Sequence, residues 1–151
     1  MKSFLRAVAV AAAVLIAPSV AAAQEGDAAK GEKIFKRCAT CHMVGDKAKT
    51  KVGPILNNVI GRVAGAEEDA LKRKRYGKSM IAVGEAGFKW TGDEIYTYLE
   101  DPRGWLRAKY KELKIDGRAA SKMAFRLRKE QDRRDVIAYI AQFSKEAAPT
   151  N

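Results

Sequence analysis

Five consecutive residues, Cys38-Ala39-Thr40-Cys41-His42, hold both cysteines and the single histidine of a 151-residue chain. Thiolate and imidazole are the soft metal ligands and redox groups of proteins, so this clustering asks for a chemistry that uses all three. A Cys-x-x-Cys pair serves as a disulfide, a thioredoxin-like redox centre, half of a metal site or a haem attachment site. The disulfide enzyme sets its pair in a strand-to-helix junction of a sheet, and this sequence shows few alternating strand patterns. Zinc asks for four ligands, and no obvious fourth follows two cysteines and one adjacent histidine. Iron-sulfur clusters need more cysteines than this chain owns. Haem attachment uses the whole motif: each thiol adds to one vinyl group to form a thioether, and His42 ligates the iron. The cofactor read from the motif is therefore one covalently bound haem c.

Iron in a low-spin carrier needs a second axial ligand, and no other histidine exists. Methionine is the remaining type. Met1 belongs to the N-terminal leader, and Met43 follows His42 directly on the same side of the ring, which leaves Met80 and Met123. Met123 stands in Ala119-Ala120-Ser121-Lys122-Met123-Ala124-Phe125, after a long irregular segment and 81 residues beyond His42, where a loop can return across the far face of the ring. Met80, in Ser79-Met80-Ile81-Ala82-Val83, reads as packing and stays the alternative. The predicted site is Cys38, Cys41, His42 and Met123, with His42 and Met123 on the iron and no catalytic residue.

The N-terminus sets the compartment. Residues 1–23 combine a basic start (Lys2, Arg6), an apolar run of 11 residues from Ala7 to Ala17, and small residues Ala21 and Ala23 at a cleavage point. That is the pattern of a secretory signal, and the run falls short of the ~20 residues that span a bilayer. The expected mature chain, 24–151, is one domain of 128 residues. Removing Lys2 and Arg6 leaves 27 basic residues against 18 acidic, a formal +9. Such a charge suits acidic partners or an anionic membrane surface, and no nucleic-acid motif accompanies it.

Helices must position the motif. Asp27 to Arg37 opens with a capping residue and spaces Ala28, Gly31, Ile34 and Phe35 along one face. Thr91 to Leu99 begins with the capping-box pattern Thr91-x-x-Glu94 and stops before Pro102. Arg133 to Phe143 follows Asp132, a candidate cap, and aligns Val136, Ile137, Ile140 and Phe143. Irregular stretches lie between, including 45–54 and 61–70. The Gly65 to Arg75 segment, with Glu67-Glu68-Asp69 before Lys72-Arg73-Lys74-Arg75, reads as a solvated loop. This is too little helix for a protein core unless a cofactor fills the middle.

In order and spacing, GDAAKGEKIF before the motif, KVGPILNNVIGRVAG after it, GFKWTGDEIYTYLEDP, SKMAF and DVIAYIAQF resemble the class I c-type cytochromes, most nearly the bacterial cytochrome c2 group, over essentially all of 24–151. The resemblance implies an all-α, small cytochrome c fold of three to five helices with long loops around one haem. It implies that the first and last helices cross with Gly31 and Phe35 against Tyr139, and that the Pro54 carbonyl accepts the His42 Nδ1 proton. It also implies that Arg62, Tyr76 and Trp90 surround the haem propionates and that Tyr98 approaches the Met123 sulfur. The 103–122 segment is longer than its counterpart in mitochondrial relatives, and its path does not follow from the resemblance.

The function so implied is a soluble, monomeric periplasmic electron carrier, not an enzyme. It would take single electrons from a quinol:cytochrome c oxidoreductase of the bc1 type and pass them to a photosynthetic reaction centre or a terminal oxidase. Its partners would be acidic redox proteins, with peripheral membrane-surface contact only and no small-molecule substrate. Lys33, Lys36, Arg37, Lys122, Arg126, Arg128 and Lys129 flank the two predicted iron ligands in sequence and form the expected docking face. A haem enzyme or gas sensor would need an open iron position and an acid-base residue such as a second histidine.

Overall fold

A computed structural model describes residues 25–145, so the signal expected over 1–23 lies outside the described residues. Six helices appear there: α1 (Ala28–Phe35), α2 (Glu68–Lys72), α3 (Lys78–Glu85), α4 (Gly92–Glu100), α5 (Pro102–Glu112) and α6 (Glu130–Ala141). The all-α expectation holds, with one more helix than the upper expectation. Extended pairing among the described residues is limited to an isolated bridge between Val63 and Lys89.

Local chemistry sets the helix boundaries. The Asp27 carboxylate accepts from the amides of Ala29 and Lys30, which caps α1. Thr91 Oγ1 accepts from the Glu94 amide at 3.2 Å and starts α4. The expected reciprocal bond from the Glu94 side chain does not form, because Glu94 reaches instead to Trp105 Nε1 at 2.8 Å and to Lys109 Nζ. The acidic-then-basic run at 67–75 is helical rather than loop. Glu67 caps α2 through the amides of Asp69 and Ala70, and Glu68–Lys72 and Asp69–Arg73 pair one turn apart. Pro102 does not end structure: it opens α5, where its missing N–H costs nothing. α6 starts at Glu130, ahead of the expected Asp132 cap; Glu130 and Asp132 instead place negative charge at its N-terminal turn.

α1 packs on α6, α4 on both α5 and α6, and α3 on α5. The α1–α6 crossing is close enough that only glycine fits. A Cβ on Gly31 would lie 2.0 Å from the Asp135 carbonyl oxygen, and one on Gly26 would lie 2.1 Å from that of Arg134. Phe35 then meets Tyr139 with ring centroids 5.3 Å apart, as the resemblance implied. Both obstructing atoms are backbone and cannot rotate aside. Gly31→Ala is therefore expected to destabilise the folded protein by at least about 1–3 kcal/mol. Gly92→Ala, whose Cβ would meet Ile137 Cγ2 at 3.7 Å, serves as the control, and equal thermal midpoints for the two variants would contradict this account.

The buried core includes Phe35, Val83, Trp90, Trp105, Leu106, Leu127, Val136 and Ile140. Trp90 and Trp105 stack with centroids 4.9 Å apart at 21°, and Phe88 and Tyr98 meet both edge-on. Lys109 lies over Phe88 and Trp105 and pairs with Glu94 and Glu112. An aromatic wall results, fixed from behind by a half-buried ion pair.

Candidate functional site

The turn after α1 carries the Cys38–His42 motif. Its backbone stays wound: Cys41 and His42 amides both donate to the Cys38 carbonyl, at 3.0 and 2.9 Å. The following loop then doubles back. Gly53 N–H donates to the Cys41 carbonyl and Leu56 N–H to that of Met43, while the Asn57 side chain accepts from Gly45 N–H and donates to its carbonyl. This return places the Pro54 carbonyl 2.7 Å from His42 Nδ1. Gly53 lies flat against the ring, since a Cβ there would stand 2.4 Å from His42 Cε1.

Burial holds His42 below the usual imidazole range, with the charges of Arg62 and Lys51 acting in the same direction and the Pro54 bond opposing them. The ring is neutral near pH 7, and with its Nδ1 proton donated to Pro54 it keeps the Nε2 lone pair for a ligand. Both cysteines are free and half-buried. Burial pushes the Cys38 thiol up, against the pull of Arg37.

Cys38, Cys41, His42 and Met123 all line one cavity of about 830 Å³. The structure thus brings the four predicted site residues together from segments 81 positions apart. Met80 lines the same cavity. The two methionines differ in support: Met80 lies within α3, with its amide bonded to the Gly77 carbonyl, whereas Met123 sits in irregular backbone. Ser121 Oγ donates to the Met123 carbonyl and accepts from its amide, which fixes this loop from within. Tyr98 and Ser121 also line the cavity, and burial pushes the Tyr98 hydroxyl up while a hydrogen bond to Ser121 opposes the shift.

The remaining wall is largely apolar, with Arg62 set into it and Arg37, Lys74, Arg75 and Lys122 lining it as well. Phe35, Val59, Trp90, Ile95, Leu99, Val136 and Ile140 supply the apolar surface. Arg62 and Tyr76 also line it. Arg62 donates to the carbonyls of Asn57 at 3.1 Å and Ile55 at 3.0 Å, while its buried Nε has no partner. No carboxylate among the described residues lies within 4.0 Å of this guanidinium. Burial disfavours the charge on Arg62, with Tyr76 and Glu67 opposing, and an anion joining it in the cavity would offset that cost further. A largely apolar cavity lined by two thiols, a neutral imidazole, two thioethers and the Arg62 guanidinium fits a flat iron porphyrin that carries acid groups.

The mouth differs from the sequence expectation. Arg37 and Lys122 line the cavity as expected, but Lys33, Lys36, Arg126, Arg128 and Lys129 do not. Arg126 pairs with Asp101 at 2.9 Å. Lys74 and Arg75 join instead, at the end of the charged segment read as solvated loop. Lys122 Nζ donates to the Lys74 carbonyl at 2.9 Å, an approach across 48 positions that no local pattern announces.

A family model described as Cytochrome c matches residues 28–102. Cytochrome c2 iso-1 of Rhodospirillum centenum is 42% identical over 123 residues, covering 80% of this chain and 99% of that protein. Cytochrome c2 of Rhodobacter capsulatus is 42% identical over 151 residues, covering 96% and 100%. Among solved structures, cytochrome c2 from Rhodospirillum centenum is 44% identical and aligns with a TM-score of 0.72 over 79% of this chain and 99% of that one. Cytochrome c2 from Paracoccus denitrificans aligns with a TM-score of 0.68 at 37% identity, over 82% and 100%. On fold, motif and similarity across nearly the full length of these relatives, the chain belongs to the cytochrome c family, in its cytochrome c2 group.

Proposed function

We propose that this protein is a soluble, monomeric, periplasmic carrier of single electrons with one covalent haem c, working between a bc1-type quinol:cytochrome c oxidoreductase and a photosynthetic reaction centre or terminal oxidase. The observation that carries the reading is the convergence of Cys38, Cys41, His42 and Met123 on one large cavity with seven buried apolar side chains in its wall. Bound haem c supplies a one-electron couple between ferric and ferrous iron. The chain's part is to hold and tune. Cys38 and Cys41 tether the group through two thioethers. His42, aligned by Pro54, offers Nε2 to the iron, and Met123 offers a soft sulfur that favours the reduced state. Arg62 faces the acid groups, and the apolar wall keeps water out, so little reorganises when charge changes. No general acid or base is needed, because no proton moves.

The test is an absorption spectrum of the purified protein, oxidised and reduced, followed by pyridine treatment to count thioethers. The expected outcome is a reducible low-spin haem with two thioethers that does not bind exogenous ligands at its iron. A colourless protein, or an iron that readily takes up peroxide or a gas, would sink the reading.

Electron carriers must also meet partners quickly and leave quickly. Arg37, Lys74, Arg75 and Lys122 ring the cavity, and this positive collar should steer acidic redox partners. At low salt, Arg75→Glu or Lys122→Glu is expected to slow the bimolecular reaction roughly tenfold, against little change for Lys145→Glu away from the mouth. Stopped-flow rates across a salt series check this. Equal slowing at all three sites would remove the collar from the mechanism.

A further inference from the structure

The carrier reading uses the segment 103–122 only through Trp105 and Lys109 behind the aromatic wall and through Ala120, Ser121 and Lys122 at the haem cavity. That segment folds into α5 and a loop that returns toward Met123, and between the two lies a second cavity of about 850 Å³. Arg103, Arg107 and Tyr110 line it from the helix, and Arg118, Ala120 and Ser121 from the loop. Only Ala120 and Ser121 are shared with the haem cavity. Among the described residues, no acidic one lines this groove.

The charges nearby are sorted in an unexpected way. Lys109 and Arg126 have carboxylate partners. Among the described residues, Arg103, Arg107 and Arg118 have none within 4.0 Å. Arg103 and Arg107 are four positions apart on one helix, where like charges face each other and repel. Arg118 brings a third charge from the opposite side of the same concavity. These three exposed arginines line one concavity, and a concave wall concentrates their potential.

We propose that this groove is a binding site for a soluble oxyanion of the diphosphate class. Guanidinium presents a planar fork of donors that matches phosphate oxygens two at a time, and three forks exceed what one phosphate needs. The volume falls within the roughly 300–1,000 Å³ of small-molecule sites. A groove walled by helix and loop suits a compact ligand entering it better than a flat array of lipid headgroups.

Titration calorimetry of the holoprotein with inorganic pyrophosphate, at fixed physiological ionic strength, tests the site. One-to-one binding is expected, weakened about tenfold or more by each of Arg103→Gln, Arg107→Gln and Arg118→Gln, as loss of a charge-assisted contact requires. Lys111→Gln removes the same charge from an exposed position of the same helix outside the groove, and is expected to change affinity less than about twofold, the scale of a rim charge. Equal weakening by Lys111→Gln would reduce the site to diffuse attraction and overturn the proposal. So would sulfate competing as well as pyrophosphate. Arginine-dependent binding to phosphatidylglycerol vesicles without binding of pyrophosphate would equally overturn it, in favour of a membrane contact. The measurement does not depend on the colour or potential of the haem, so its failure leaves the carrier reading standing.

Discussion

Met123→Ala is expected to abolish the sulfur-to-iron charge-transfer absorption of the oxidised holoprotein, to admit ligands such as cyanide rapidly, and to lower the potential by on the order of 0.1 V or more, within the ~0.8 V range that axial ligands command. Alanine leaves no donor at that place in the loop, and Ser121, bonded to the Met123 backbone, keeps the loop shaped without filling the gap. Met80→Ala is the comparison that makes the test sharp, because Met80 lines the same cavity. Met80 is held within α3 and partly buried, so its truncation should cost about 2 kcal/mol of stability through lost packing and leave the absorption in place. If Met80→Ala removes the band and Met123→Ala does not, the two roles are reversed.

The double variant Cys38→Ala/Cys41→Ala, prepared without haem, is expected to lack a cooperative fold. Among the described residues, half of the buried apolar side chains, seven of fourteen, line the 830 Å³ cavity. Left without the haem, apolar walls of so large a cavity face water or lose their contacts, at a cost of about 1.5–3 kcal/mol for each large side chain exposed. Domains have only roughly 5–15 kcal/mol to lose. Collapse of the walls recovers part of that cost, but only by giving up the native arrangement of α1, α4 and α6. Far-ultraviolet circular dichroism and a thermal melt decide it: native helix content with a sharp transition in the haem-free chain would contradict the dependence on cofactor.

How much of this the sequence announces depends on the range of the interactions involved. α1 and α4 are legible because their caps are local and their apolar faces regular: Asp27 and Thr91 act within three residues of themselves. α5 was not legible. Its buried side chains are Pro102, Trp105, Leu106 and Lys109, so a proline that looks like a stop and a lysine that looks like surface occupy half of its inner face. Lys109 is buried only because Glu94, from another helix, comes to meet it. The acidic run before the basic run at 67–75 was misread for a related reason, since i,i+4 pairing turns apparent solvation into a helical turn. At the site, the motif names Cys38, Cys41 and His42 outright. Convergence of Met123 needs the tertiary path, and the collar residues Lys74 and Arg75 reach the mouth partly through the Lys122 to Lys74 bond. The resemblance supplied the Pro54 contact that no spacing rule would have found.

The clamp between α1 and α6 has a consequence for the order of events in a newly made chain. The Asp27 amide donates to the Asp135 carboxylate, 108 positions further on, and the glycine-tight crossing lies beside this bond. A ribosome delivers residues from the N-terminus, and Glu130 follows His42 by 88 positions. In that interval α1, with eight residues, is too short to persist as an isolated helix. Until α6 is present, the two thiols therefore belong to a segment that α1 alone does not hold folded. The Asp27–Asp135 bond and the tight crossing thus make closure of the domain wait for its last helix.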